Sequence, residues 1–321
     1  MIDNKGLVLC LTPVYNDWES LIELVDEIRG VFSESADKKF KILAIDDGST
    51  EQNKYPFNKS EVEIISLKKN VGHQRAIAIG IQYVYNKYLN NQLSEKKLTA
   101  HHLVVLDSDG EDKPSDILSM VDAADQQVVF AQRTKRSETL SFKLGYWFYK
   151  KIFRLLTGKS ISFGNFCAIP VSLLKPIALN TDIWNHFSGS IIKSRIPYAT
   201  YPTVRGKRHE GKSKMNTTNL IVHGLSAVSI YFDVLCIRLL RFSLIALTFC
   251  SIGVGYIFYQ KIFTENAIPG WASSLVLIIF SIIIQLFSVT FVVLLFQLNT
   301  RKRIEAPYEH LFKKFLDQNE A

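Results

Sequence analysis

The sequence predicts an α/β domain with a mostly parallel sheet, followed by interfacial helices and a hairpin of two membrane-spanning helices. Three observations carry this prediction. Short apolar runs alternate with amphipathic stretches of helical spacing between residues 7 and 133. Acidic and polar residues collect where those runs end. Two long segments further on, Phe242–Tyr259 and Ala272–Leu298, contain no charged residue.

Residues 7–12 read as the first strand, which Pro13 closes, and WESLIELVDEIRGVF as the first helix. FKILAIDDGST is a second strand running into turn residues, and VEIISL a third. A helix starting at Gly72 follows in NVGHQRAIAIGIQYVYNKYL. LVVLD and VVFAQR are the fourth and fifth strands, with PSDILSMVDAAD between them as a helix opened by Pro114. Helices between successive strands imply a parallel sheet covered on both faces, and such sheets bind ligands beyond the carboxyl ends of their strands. Tyr15 and Asn16, Asp46 and Asp47, Asn70, Asp107 and Asp109, and Arg133 all fall there. One crevice is implied.

LGYWFYKKIFRLLT and TTNLIVHGLSAVSIYF are amphipathic and suit helices lying in a membrane interface, the first equally well a helix on the domain core. A helix needs about 20 apolar residues to cross the hydrocarbon core. Spans are therefore expected at about 236–259 and 272–298, with Tyr256, Tyr259 and Trp271 as interfacial aromatics. Arg238 and Arg241 precede the first span, and Arg301, Lys302 and Arg303 follow the second. By the positive-inside rule both termini face the cytoplasm and the connection faces out. The expected layout is a cytoplasmic domain at 1–215, an interfacial helix at 216–233, the hairpin at 234–300 and a cytoplasmic tail at 301–321.

No signal peptide is read in LVLCLTPV, which is too short. Cys10, Cys167, Cys236 and Cys250 have neither metal-site nor disulfide spacing, as suits a reduced compartment. The net charge of +8 suits an anionic leaflet and phosphorylated substrates, and no nucleic-acid partner is expected. A homo-oligomer is compatible with the sequence.

The acidic strand end LVVLDSDGEDKP asks for a positive partner, because Asp107, Asp109, Glu111 and Asp112 repel one another. Two carboxylates one residue apart can share a hard divalent cation, Mg²⁺ or Mn²⁺, whose shell is completed by substrate phosphates. Further along, Arg205, Lys207, Arg208, Lys212 and Lys214 form a basic loop just before the membrane entry. Such a loop serves either as a headgroup anchor or as a phosphate grip, arginine being favoured for bidentate phosphate contacts.

TPVYNDWESL, AIDDGST, NVGHQRAIAIG, VLDSDGEDKP and AQR follow one another in an order and spacing that resemble the family-2 glycosyltransferases of GT-A fold. Within them the chain looks most like the polyprenyl-phosphate glycosyltransferases. The resemblance implies that Pro13, Tyr15, Asn16 and Asp17 line the nucleoside and that Asp46 reads its base or ribose. It implies that Asp107 and Asp109 hold the metal with Glu111 beside it, Asp107 also serving the nucleotide sugar. Arg133, Arg205, Arg208, Ser213 and Lys214 would face the acceptor phosphate. Asp109, Arg133, Arg205 and Lys214 are thus the expected catalytic set. GNFCAIP lacks the arginine and carboxylate that the family carries at that stretch, Asn165 standing there instead.

The implied reaction is inverting transfer of a sugar from a UDP- or GDP-linked donor to an undecaprenyl or dolichyl phosphate. An ionised acceptor phosphate needs no strong general base. A hydroxyl acceptor, on a glycolipid or polysaccharide, would need one, with Asp112 or Glu111 as the candidate. A non-catalytic membrane scaffold is the remaining alternative.

Overall fold

The computed structural model describes residues 6–35, 37–89, 100–134, 151, 154, 158, 163–206, 229–264, 270–301 and 311–317. They divide into two units. One holds the sheet; the other holds two long helices.

The sheet has seven strands, β1 (Gly6–Val14), β2 (Lys38–Asp46), β3 (Val62–Ser66), β4 (Ala100–Val105), β5 (Val128–Arg133), β6 (Cys167–Pro170) and β7 (Tyr198–Thr203). Their order is β3-β2-β1-β4-β6-β5-β7. β6 alone runs antiparallel, paired to β4 on one side and β5 on the other. The five strands expected from the sequence are present. β6 and β7 extend the sheet beyond them.

Alternation along each strand sorts side chains onto two faces. Leu9, Leu11, Leu43, Ile45, Leu103 and Val105 join one apolar cluster, and Val8, Cys10, Ile42, Ala44 and Val104 join the other. Helix α2 (His73–Val84) covers the first face, and α1 (Trp18–Ser33) with α3 (Ile117–Ala123) covers the second. α2 approaches β1 so closely at Gly80 that an added Cβ would lie 2.4 Å from Leu11 Cδ1. Two short helices, α4 (Leu174–Ala178) and α5 (Phe187–Lys193), extend the first layer.

Pro13 does not close β1, which runs on to Val14. Its missing N–H is tolerated because β4 pairs with β1 only as far as Leu11, while β2 follows to Asp46. The chain moves outward from β1 to β3 and then crosses to β4 on the other side. That reversal leaves a crevice at the carboxyl ends of β1 and β4.

The sheet unit also takes in chain from beyond the two long helices. Residues Leu311–Lys314 form a 3-10 turn, and Leu316 then bridges Leu67 next to β3 in antiparallel fashion. Lys68 N–H donates to Phe315 O at 2.9 Å, and Asp317 N–H donates to Ser66 O at 3.0 Å. Phe312 and Leu316 are buried in the first cluster. Residues 311–317, within the expected cytoplasmic tail, thus pack against the domain's core.

In the second unit α6 (Phe232–Phe263) and α7 (Trp271–Arg301) pack against each other. Phe232–Gln260 and Val276–Phe296 are long and apolar enough to cross a membrane. Phe242, Phe249, Phe258, Ile282, Val289 and Phe296 are exposed along them. The hydroxyls of Thr248, Ser251 and Thr290 donate to the carbonyl four residues back, and Ser243 to the one three back, so these polar groups are satisfied within their own helices.

Candidate active site

The loops after β1 and β2 are tied into one wall. Asn16 takes a positive φ of 49°, which an asparagine tolerates, and its side chain spans the gap. Its Oδ1 accepts from the N–H groups of Thr50 and Glu51, and its Nδ2 donates to Thr50 Oγ1 at 3.0 Å. Asp46 Oδ1 accepts from Ser49 N–H at 2.9 Å. Tyr15 is exposed beside this wall. Pro13 is buried within β1, and Asp17 stands at the start of α1, accepting from the Ser20 hydroxyl at 2.8 Å.

Asp47 is buried and holds the loop after β3, its carboxylate accepting from the N–H groups of Val71 and Gly72 at 2.7 and 3.0 Å. Burial raises its pKa, and the two N–H groups only partly oppose that. Gly48 is fixed in the same corner. Its φ is +68°, and a Cβ there would lie 2.5 Å from the Lys69 carbonyl carbon.

Across the crevice, β4 ends in the acidic turn. Asp107 N–H donates to Asp112 Oδ2 at 3.1 Å, and Glu111 N–H donates to Asp109 Oδ1 at 3.1 Å. Asp107 Oδ1 lies 3.3 Å from His73 Nε2 at the start of α2. Asn165 lies 3.1 Å from the same imidazole nitrogen through its Nδ2 and accepts from Gln74 through its Oδ1. Gln74 Oε1 in turn accepts from Phe187 N–H at 2.7 Å. The sequence marks Asn165 through the stretch GNFCAIP but assigns no chemistry to His73 or Gln74. The signal for His73 and Gln74 is their place at the N-terminus of α2, which faces the neighbouring strand ends.

The positive partners of the acidic turn are arginines. Arg133, at the end of β5, lies 3.3 Å from Asp112 Oδ1 and 3.4 Å from Glu111 Oε2. Arg205, just past β7, pairs with Glu111 Oε1. Glu111, expected beside a metal, bridges the two guanidiniums through its two carboxylate oxygens. Asp112 is 6% exposed and its pKa is pushed up to about 7 by burial and then by Asp107, with Arg133 opposing.

Among the described residues no group of three His, Cys, Asp or Glu side chains is arranged to hold a metal ion. Asp107 and Asp109 remain as a two-carboxylate donor set at a strand end. Hard oxygens in that number fit Mg²⁺ or Mn²⁺ sharing its shell with a diphosphate. Arg208, Ser213 and Lys214 lie outside the described residues, as do most of both amphipathic stretches.

A mostly parallel sheet with carboxylates at its strand ends, facing an arginine pair, has the architecture of a GT-A sugar-transfer domain. Residues 10–175 match the family model Glycosyl transferase family 2, and the chain belongs to that family. It is a glycosyltransferase, and so an enzyme. A curated relative, the uncharacterized glycosyltransferase YkcC of Bacillus subtilis (strain 168), is 24% identical over 299 residues, covering 86% of this chain and 84% of its own. Among solved structures, mannosyl-3-phosphoglycerate synthase from Rubrobacter xylanophilus aligns with a TM-score of 0.48 and 12% identity, covering 84% of this chain and 80% of that one. The mannosyltransferase PcManGT from Pyrobaculum calidifontis, solved with GDP-Man and Mn²⁺, aligns at 0.40 and 12%, covering 89% of this chain and 84% of that one.

Proposed function

We propose that this enzyme transfers a sugar, with inversion, from a nucleoside-diphosphate sugar to a membrane polyprenyl phosphate. One observation carries the reading. Glu111 and Asp112, the carboxylates that a hydroxyl acceptor would need as base, are engaged by Arg133 and Arg205 at the mouth of the crevice. A site so furnished suits an acceptor that brings its own negative charge.

The nucleoside would lie against Tyr15, on the wall that Asn16 and Asp46 brace. Asp107 and Asp109 would hold Mg²⁺ or Mn²⁺, which neutralises charge on the departing diphosphate. An acceptor phosphate oxygen attacks the anomeric carbon from the opposite face. The bond to the donor's diphosphate oxygen breaks, and the nucleoside diphosphate leaves with that electron pair. The attacking oxygen is already ionised, so no proton moves, and positioning with electrostatic preorganisation supplies most of the rate. Arg133 and Arg205 orient the acceptor, with Arg208, Ser213 and Lys214 of the basic loop completing the grip.

The chain's path supports a membrane acceptor. It leaves the sheet unit at Ile230, passes through two helices of spanning length, and is back in that unit's core by Phe312. Two crossings return the chain to the side it left. The arginines flanking the helices support a cytoplasmic side for the domain, and the proposed setting is a bacterial inner membrane.

The test is to incubate membranes carrying the enzyme with undecaprenyl phosphate and labelled UDP-, GDP- and dTDP-sugars. Label in a polyprenyl-phosphate sugar is the expected result. Label confined to a neutral glycolipid or polysaccharide would replace this reading with the hydroxyl-acceptor one. A reporter fused at Glu265, in the helix connection outside the described residues, should report the outer face.

A further inference from the structure

Two guanidiniums meet on one carboxylate at the mouth of the crevice. Arg133 ends β5 and Arg205 follows β7, strands whose parallel register sets Arg133 beside Thr203. Glu111 offers Oε2 to the first and Oε1 to the second. Its backbone is fixed on both sides: its N–H donates to Asp109 Oδ1, and its carbonyl accepts from Gly206 N–H at 2.9 Å. The loops touch so closely there that a Cβ on Gly206 would lie 2.0 Å from Gly110 O. The carboxylate is thus delivered by a fixed backbone on a side chain that can still swing away about its own torsions. Arg133 keeps Asp112 as a second partner.

We infer that Glu111 is the resident anion of a site built for a phosphate monoester, which displaces its carboxylate from Arg133 and Arg205. A carboxylate presents a guanidinium with the same planar pair of oxygens as one edge of a phosphate. Tethered beside the arginines, it competes at a high effective concentration. A phosphate dianion carries more charge and more oxygens and can win that exchange. A neutral alcohol, with no charge to offer the guanidiniums, cannot, whether or not the carboxylate is there. This rests on the proposed function only for the identity of the phosphate's carrier.

The full-length enzyme in nanodiscs, free of donor and divalent cation, is titrated with inorganic phosphate, a short-chain prenyl phosphate and the matching prenol. Wild type is compared with Glu111→Gln, Glu111→Ala and Arg205→Gln, each first checked for a cooperative melt. Both Glu111 variants should bind the two phosphates about tenfold tighter or more, and Arg205→Gln about tenfold weaker, as loss of one charge-assisted contact implies. Prenol binding should stay unchanged throughout. Glu111 variants that bind phosphate no better than wild type would overturn the inference and make the carboxylate a permanent clasp. Transfer to undecaprenyl phosphate by wild type is measured separately. Its failure alongside tighter phosphate binding removes the proposed acceptor and leaves the phosphate site standing; its success without tighter binding removes only the resident anion.

Discussion

Glu63 and the Glu111–Asp112 pair are both carboxylates caged by cations in the same domain, and they are caged to opposite effect. Glu63, on β3, receives Lys41 Nζ at 2.6 Å, Lys87 Nζ at 2.5 Å and the Tyr83 hydroxyl at 2.6 Å. Burial alone would raise its pKa, but these hydrogen bonds outweigh it and hold the group down to about 2. Asp112 is more deeply buried, shares its turn with Asp107 and Asp109, and sits near 7 instead. One cluster is satisfied within the fold. The other, at the carboxyl ends of the strands, carries like charges that the fold alone does not neutralise, as functional sites characteristically do. Position relative to the strand ends separates a stabilising acidic group from a reactive one.

The sharpest break between the two clusters should come from Asp109→Asn. It removes a charge from the crevice without changing volume, and transfer should fall at least about a thousandfold, some 4 kcal/mol of barrier. The melting temperature should hold. An Asp109→Asn enzyme that turns over at half the wild-type rate would mean that this carboxylate serves no cation.

Phe312→Ala probes the satisfied side of the domain. Phe312 is fully buried and meets Tyr83 edge-on, with ring centroids 6.0 Å apart, beside the Glu63 cage. Truncating a buried phenylalanine costs about 3 kcal/mol or more. The thermal midpoint should drop by several degrees. An unshifted midpoint would show that the C-terminal segment contributes nothing to the core.

Glu63→Gln should likewise affect stability and leave turnover per folded molecule intact. The sign follows from the lowered pKa. The stabilisation is complete above the unfolded value of about 4.5 and is lost as pH falls through about 2. The shift corresponds to roughly 3 kcal/mol at most. Melting of wild type against variant at pH 7 and at pH 2.5 tests it, because the gap should narrow at the lower pH. A constant gap would assign the loss to packing instead of charge.

Much of this contrast was legible in the sequence. Five strands and their crevice could be read because alternation and turn residues are local signals, and the acidic turn announced itself by charge density. What could not be read depends on distant partners. β6 is four residues ending in proline, and only its place between β4 and β5 makes it a strand. β7 carries Pro202, which is tolerated because the strand is the sheet's edge. The pairing of Leu316 with Leu67 joins residues on either side of both long helices. Glu111 could be assigned to a cation by type, but no spacing rule says that its cations are guanidiniums from β5 and from the exit of β7.

The smallest expected effect concerns Arg205, and it decides whether the crevice side of the comparison extends to the acceptor. If this arginine grips a phosphate, Arg205→Lys keeps the charge and loses the planar fork. A charge-assisted hydrogen bond is worth about 1.5–3 kcal/mol, so losing one should slow acceptor-dependent transfer by about tenfold or somewhat more. Donor saturation should hardly move if the nucleoside lies, as proposed, on the wall of Tyr15, Asn16 and Asp46 across the crevice. If Arg205 only holds the enzyme to an anionic leaflet, lysine serves as well, since headgroup attraction depends on charge at about 1 kcal/mol per residue. Kinetics against undecaprenyl phosphate at fixed donor, with membrane association measured in parallel, separate the two. Unchanged acceptor kinetics in Arg205→Lys would make this arginine an anchor and leave Arg133 as the acceptor's contact at the strand ends.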